Sequence, residues 1–215
     1  MIKLLSDEER ARANRFRFDD PRRQFVICRA TLRQILGAIH GVAPQDLSFQ
    51  YGSRGKPELL SQKPNSIVPK IEFNVSHSGT IGLLAISVGA AIGIDVEEYD
   101  PAVKFLQLAE RFFAPLEATE LKSLPPEKQI DGFYRCWTCK EAYIKALGDG
   151  LSHSLASFRV AIDPDQPASL RHVDGQPDEP IKWTTQSLNV GENHAAAVMV
   201  HRQECQIAQW DWPVA

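Results

Sequence analysis

Three acidic side chains are the residues of this chain best suited to chemistry: Asp95 and Glu97 in the run Ile92-Gly93-Ile94-Asp95-Val96-Glu97, and Glu141 in the run from Trp137 to Lys145. In an extended segment side chains alternate between faces, so Ile92, Ile94 and Val96 share one face and Gly93, Asp95 and Glu97 the other. Two carboxylates then leave one strand with their backbones roughly 6 to 7 Å apart, close enough to bracket one cation and, without it, to repel. Gly93, just ahead of them, leaves room for a ligand to approach the backbone. Glu141 lies inside or beside a stripe of Ile130, Phe133, Trp137 and Ile144 that recurs at helical spacing. A carboxylate there needs a cation, a lysine or water close by. The plain readings are two solvated acids at a strand end and an i,i+4 pair of Glu141 with Lys145. The functional reading joins all three acids around a hard metal. An all-oxygen set suits Mg²⁺, which binds through a few carboxylates together with waters and substrate phosphates. A phosphate-bearing substrate would follow, with the N-terminal arginines, Arg54 and Lys56 of the GSRGKP loop and His77 of the SHSG turn as cationic partners.

The charge distribution agrees with a small polyanion. Net charge is -3, which gives no reason to expect a general nucleic-acid binder. Between Arg10 and Arg33, however, eight arginines face two acids, Asp19 and Asp20, leaving 16 basic against 25 acidic residues elsewhere. Such a run reads either as a solvated helix face or as a site for an anion smaller than DNA. Two other arrangements carry less. Cys136-x-x-Cys139 falls in mid-helix with no second close cysteine pair, against a redox or zinc role, and Ser76, His77 and Asp95 lack the G-x-S-x-G elbow of a hydrolase.

The elements that must position these groups follow from periodicity. Asp20-Pro21 reads as an N-cap and first helical residue, with Phe25, Leu32, Ile35, Leu36 and Ile39 carrying a helix to Gly41. Gly52 to Asn65 reads as loop or hairpin. Strands are expected at Ile71–Ser76, Ile81–Val88 and Ala91–Glu97, then helices at Val103–Phe113, Pro115–Leu124 and Pro126–Leu147. Further strands are expected at Ser157–Ile162, Ile181–Ser187, His194–Val200 and Gln206–Trp210, with Trp210 and Trp212 packed. Helix precedes strands in each half, so the chain reads as two similar α+β lobes, 1–100 and 101–215. Its 215 residues suffice for a good core, no apolar run is long enough to span a membrane, and four cysteines are too few for a disulfide framework. The N-terminus lacks a signal-peptide core, so a cytoplasmic location is expected.

Three motifs in order, FNVSHSG (Phe73 to Gly79), GIDVE (Gly93 to Glu97) and the W-x-x-K-E-A-x-x-K run of Trp137 to Lys145, resemble those of the Sfp-type 4′-phosphopantetheinyl transferases. Arg111 to Phe113 and the RGKP loop are minor supports. The resemblance implies the 4′-phosphopantetheinyl transferase fold, an α+β pseudodimer of two lobes, each a small, mostly antiparallel sheet packed with helices, with coenzyme A and Mg²⁺ in the cleft between them. It implies transfer of the phosphopantetheine arm of coenzyme A to a serine of an apo acyl or peptidyl carrier protein, by a monomer with no nucleic-acid or membrane partner. It assigns Asp95, Glu97 and Glu141 to the metal, with Glu141 also as base, and Lys145 to the diphosphate near the leaving group. His77, next to Ser76, is assigned to a coenzyme A phosphate. Arg12 and Arg23, or Arg22 in place of Arg23, are assigned to the ribose 3′-phosphate, and Lys56 and Pro57 to the adenine. The departure is at the front, where family members carry an extra strand before the segment like LSDEERARA, which implies a truncated start or a reduced first lobe.

Overall fold

The computed structural model describes residues 1–52, 56–60, 70–148 and 153–213. These gather into two compact units, one of residues 1–51, 57–60 and 207–213, the other of residues 52, 56, 70–148 and 153–206. Arg54 lies outside the described residues.

In the first unit, helices α1 (Asp7–Ala13) and α2 (Asp19–His40) accompany a short antiparallel pair, β1 (Phe49–Tyr51) with β2 (Pro57–Leu59). α1 starts because Ser6 and Glu9 form a capping box: the Glu9 N–H donates to Ser6 Oγ at 3.3 Å and the Ser6 N–H donates to Glu9 Oε2 at 2.9 Å. The same Glu9 carboxylate, 4% exposed, accepts from Arg33 Nε at 2.6 Å and so ties α1 to α2. α2 begins two residues before the position expected, with Phe18 in extended conformation as its cap and no side-chain cap bond. Pro21 then sits third in the helix, where its missing N–H costs no intrahelical bond.

The second unit packs three α-helices with three small sheets. β3 (Ile71–Ser78) pairs antiparallel with β4 (Ile81–Val88). β5 (Ile92–Glu98) pairs antiparallel with β9 (His194–Val200), and β9 with β8 (Thr184–Leu188), in the order β5-β9-β8. β6 (Phe158–Val160) pairs with β7 (Leu170–Val173). Helices α3 (Phe105–Phe112), α4 (Pro115–Ser123) and α5 (Pro126–Leu147) complete it, with α5 lying on β5 and β9. The class is α+β, as expected. α5 ends where the periodicity of its apolar residues ends, at Gly148, whose φ of 78° suits a residue without Cβ.

The core around α5 holds Phe133, Tyr143, Ile144, Phe158, Ile162 and Met199. It also holds a charge pair that apolar periodicity hides. Lys140, 0% exposed, stands 2.7 Å from Glu117 Oε2 and donates to the carbonyls of Leu155 (2.8 Å) and Phe158 (2.6 Å). Glu117 accepts in turn from the N–H groups of Ala114 and Val160. Every strong polar group of the cluster is thus satisfied, as a buried pair requires.

Several expectations need correction. Gln206–Trp210 is not a strand, and Trp210 is 85% exposed and Trp212 47%, so this tail does not pack as proposed. Alternation alone predicts the strand, but among the described residues no partner edge receives it. Ile181 lies ahead of β8 in a short 3-10 turn, because Pro180 opens that turn. β7 went unread: its four residues, Leu-Arg-His-Val, are too few to show a period. His77 belongs to β3, and the turn itself is Gly79-Thr80. No helix among the described residues is long and apolar enough to cross a membrane.

Candidate functional site

β5 is buried on both faces, with Ile92, Ile94 and Val96 on one and Gly93 and Asp95 on the other. It can lie directly against α5 because Gly93 has no side chain: a Cβ there would fall 1.9 Å from the Ala142 carbonyl oxygen and 2.5 Å from the Ala146 nitrogen. The space at Gly93 therefore receives helix backbone, not the ligand expected from the sequence. This contact brings the residues just beyond Gly93 on the strand alongside those next to Ala142 on the helix, which are Asp95, Glu97 and Glu141.

The electrostatics record that neighbourhood. Burial pushes the Glu141 carboxyl up from its ordinary value, the Asp95 and Glu97 charges push it further, and only Lys145 opposes them. Glu97 is likewise pushed up by burial first and then by Asp95, against hydrogen bonding from Ser78 and Trp137. Asp95 is 2% exposed and sits above its usual range because burial outweighs the pull of Lys145, Ser76 and the Val96 N–H. Burial raises all three carboxyls, and acidic neighbours raise Glu97 and Glu141 further, so the site is short of positive charge.

Lys145 supplies part of that charge. Its ammonium stands 2.5 Å from Asp95 Oδ1 and 3.0 Å from Ser76 Oγ, so its partner is the strand acid and not Glu141 one helical turn away. Ser76 Oγ donates to the same Asp95 oxygen at 2.9 Å. The other oxygen, Oδ2, is buried with no hydrogen-bond partner among the described residues. An orphaned carboxylate oxygen, on an acid whose charge is felt by two further acids, fits a hard cation chemically. Among the described residues, however, no three acidic, imidazole or thiol side chains stand together closely enough to hold a metal ion, and Lys145 holds the place beside Asp95 Oδ1.

The remaining expected residues are dispersed. Lys56 Nζ donates to the carbonyls of Ile92 (3.3 Å) and Ala146 (3.1 Å), joining the start of β5 to the last turn of α5. Pro57 opens β2. His77 is exposed on β3, alternating to the face opposite Ser76. Arg12 is exposed on α1 with its guanidinium 5.2 Å from the Phe25 ring centroid. Arg22 and Arg23 share an open hollow on α2 that Arg12 does not line. Cys136 and Cys139 are both wholly buried, and burial pushes the Cys139 thiol up to about 12, the reverse of what a reactive or metal-binding pair needs. Two contributors escaped sequence reading: Ser78, whose hydroxyl donates to Glu97 Oε2 at 3.2 Å, and Trp137, which also bonds Glu97. The S-x-S alternation of β3 was the available signal for the first.

Known proteins place this arrangement in context. Residues 91–199 match the family model described as the 4′-phosphopantetheinyl transferase superfamily, and residues 1–89 match that of the 4′-phosphopantetheinyl transferase N-terminal region. The chain is 42% identical over 196 residues to the 4′-phosphopantetheinyl transferase HetI of Nostoc sp., covering 91% of this chain and 78% of that one. It is 31% identical to the 4′-phosphopantetheinyl transferase Sfp of Bacillus subtilis, covering 80% and 73%. A crystal structure of Thermotoga maritima holo-[acyl-carrier-protein] synthase aligns with a TM-score of 0.43 at 21% identity, over 54% of this chain and 65% of that one.

Proposed function

The chain belongs to the 4′-phosphopantetheinyl transferase superfamily, and from that membership we propose that it moves the 4′-phosphopantetheine group of coenzyme A onto a serine of an apo acyl or peptidyl carrier protein, releasing adenosine 3′,5′-bisphosphate. The observation that carries the chemical part is the cluster of Asp95, Glu97 and Glu141, each pushed up by burial or by its acidic neighbours, with Asp95 Oδ2 left without a partner.

Asp95, Glu97 and Glu141 are the residues that would hold Mg²⁺. When bound, the ion would offset the negative charge of the diphosphate. Glu141 accepts the proton of the attacking serine, directly or through a water, because a hydroxyl is a weak nucleophile until its proton has an acceptor. The serine oxygen forms a bond to the phosphorus of the transferred arm as the bond to adenosine bisphosphate breaks in line. Lys145 turns its ammonium to the departing phosphate, a task for which its partly exposed side chain beside Asp95 is suited. Arg12 and Arg23, or Arg22, hold the 3′-phosphate of coenzyme A, His77 and Ser76 a further phosphate, and Lys56 and Pro57 flank the adenine. The two-lobe reading, 1–100 and 101–215, draws the acids from both halves, Asp95 and Glu97 from the first and Glu141 from the second. Action as a monomer in the cytoplasm completes the proposal.

Intact-mass analysis of apo carrier proteins mixed with the protein, Mg²⁺ and coenzyme A tests it. A mass gain equal to one phosphopantetheine on the carrier is expected. Release of free phosphate with no change in carrier mass would mark a phosphohydrolase and overturn the reading.

A further inference from the structure

β5 is bonded along its two edges by different chemistry. On one side its backbone pairs with β9. On the other, three of its N–H groups donate to side chains of β3: Ile94 to Asn74 Oδ1 (3.0 Å), Val96 to Ser76 Oγ (3.4 Å) and Glu98 to Ser78 Oγ (3.0 Å). Each donor lies 20 residues after its acceptor, so β3 and β5 run parallel with side chains in place of the usual backbone ladder.

Within that seam one device occurs twice. Ser76 takes the N–H of Val96 and donates its own proton to the carboxylate of the preceding residue, Asp95. Ser78 takes the N–H of Glu98 and donates to the carboxylate of the preceding residue, Glu97, at 3.2 Å. A hydroxyl has one proton to give. Because the strand N–H fixes the oxygen, that proton is aimed at Glu97, and the Glu97 side chain is held in one rotamer by a group anchored to its own strand.

We propose that Ser78 is a positioning residue for Glu97, setting together with Trp137 the direction in which that carboxylate faces a divalent cation; this rests on the reading of Glu97 as a metal ligand. Ser78 touches no reacting atom. Its loss takes away the hydrogen bond that ties Glu97 to β3, with Trp137 still bonded to it, and leaves the Glu98 N–H without its acceptor, while Asp95 keeps its own hydroxyl from Ser76.

The test is direct titration of the metal-free protein with Mn²⁺, followed by electron paramagnetic resonance, for the unaltered protein and for Ser78→Ala, Ser78→Thr and Glu97→Gln. Ser78→Ala is expected to weaken Mn²⁺ binding about 3- to 10-fold, the loss of one hydrogen bond to a charged group on a partly exposed site. Ser78→Thr, which keeps the hydroxyl, restores it. In transfer assays Ser78→Ala raises the Mg²⁺ activation constant more than it lowers kcat at saturating Mg²⁺. If Glu97→Gln weakens Mn²⁺ binding and Ser78→Ala does not, the positioning role is wrong and the metal reading stands. If Ser78→Thr fails to restore what Ser78→Ala loses, the effect is packing and the proposal also falls. If Glu97→Gln binds Mn²⁺ as the unaltered protein does, Glu97 is no ligand and both are overturned.

Discussion

Replacing Lys140 with methionine should be among the most damaging single changes this protein can suffer, although Lys140 touches no solvent. The side chain is 0% exposed, its ammonium stands 2.7 Å from a Glu117 carboxylate that is itself 2% exposed, and it donates to two carbonyls that bound the start of β6. Methionine fills much the same volume, so the cavity contribution is small. What remains is an uncompensated carboxylate and two buried carbonyls short of a donor. Breaking a buried pair from one side costs about 3–5 kcal/mol, against a total stability of about 5–15 kcal/mol for a typical domain. At roughly 2–4 °C per kcal/mol for a chain of this size, the melting temperature should fall by about 6–20 °C. Glu117→Gln should also destabilise, by less, since an amide oxygen can still accept one of the two N–H groups of Ala114 and Val160. The double variant should lose less than the sum of the two, by about 1 kcal/mol or more, because the pair is a single interaction. Urea unfolding of all four proteins measures each quantity. A loss below about 1 kcal/mol for Lys140→Met, or strict additivity in the double variant, would refute the view that this lysine pins α5 to α4 and β6.

Asp95→Asn should reduce carrier modification by about 100-fold or more, with the fold retained by circular dichroism, and chelation of Mg²⁺ should stop the unaltered protein until the metal is restored. Near-normal turnover of the variant at limiting Mg²⁺ would sink the assignment. Gly93→Ala should destabilise by more than the ~1–3 kcal/mol of ordinary overpacking, since its Cβ meets helix backbone that has no rotamer to change, and a melting temperature within 2 °C, about the shift of the smallest resolvable loss, would contradict this. Cys136 and Cys139, buried and with raised thiol pKa, should resist iodoacetamide in the native protein at pH 8 and react only on unfolding. Modification as fast as at Cys205 would show that the core opens there.

Periodicity carried much of this structure. α5 and β9 have the bounds that apolar spacing alone predicts, and the alternation of Ile92 to Glu97 foretold which residues share a face with Asp95. What spacing could not reveal is which distant atoms meet. Lys140 looks like one more cation in a mid-helix run, and only the approach of Glu117 on α4, 23 residues earlier in sequence, turns it into half of a buried pair. Lys145 could pair with an acid one turn back or with one on a strand, and the packing of α5 over Gly93 decides for Asp95. Ser78 is similar: its hydroxyl gains meaning from a parallel neighbour that no local pattern announces. The Gln206–Trp210 segment failed in the opposite sense, since alternation is necessary for a half-buried strand but supplies no edge to pair with.

From Ile92 to Val96 β5 is covered on both faces, laddered to β9 along one edge and stitched to β3 along the other, so water can enter it first only at its Glu97–Glu98 end. Segments enclosed in this way exchange their amide hydrogens only through the largest openings of a molecule, whereas frayed ends and exposed turns exchange through small ones. Partial unfolding of the periphery would therefore leave Asp95 seated, and this acid would be among the last parts of the molecule to lose its order.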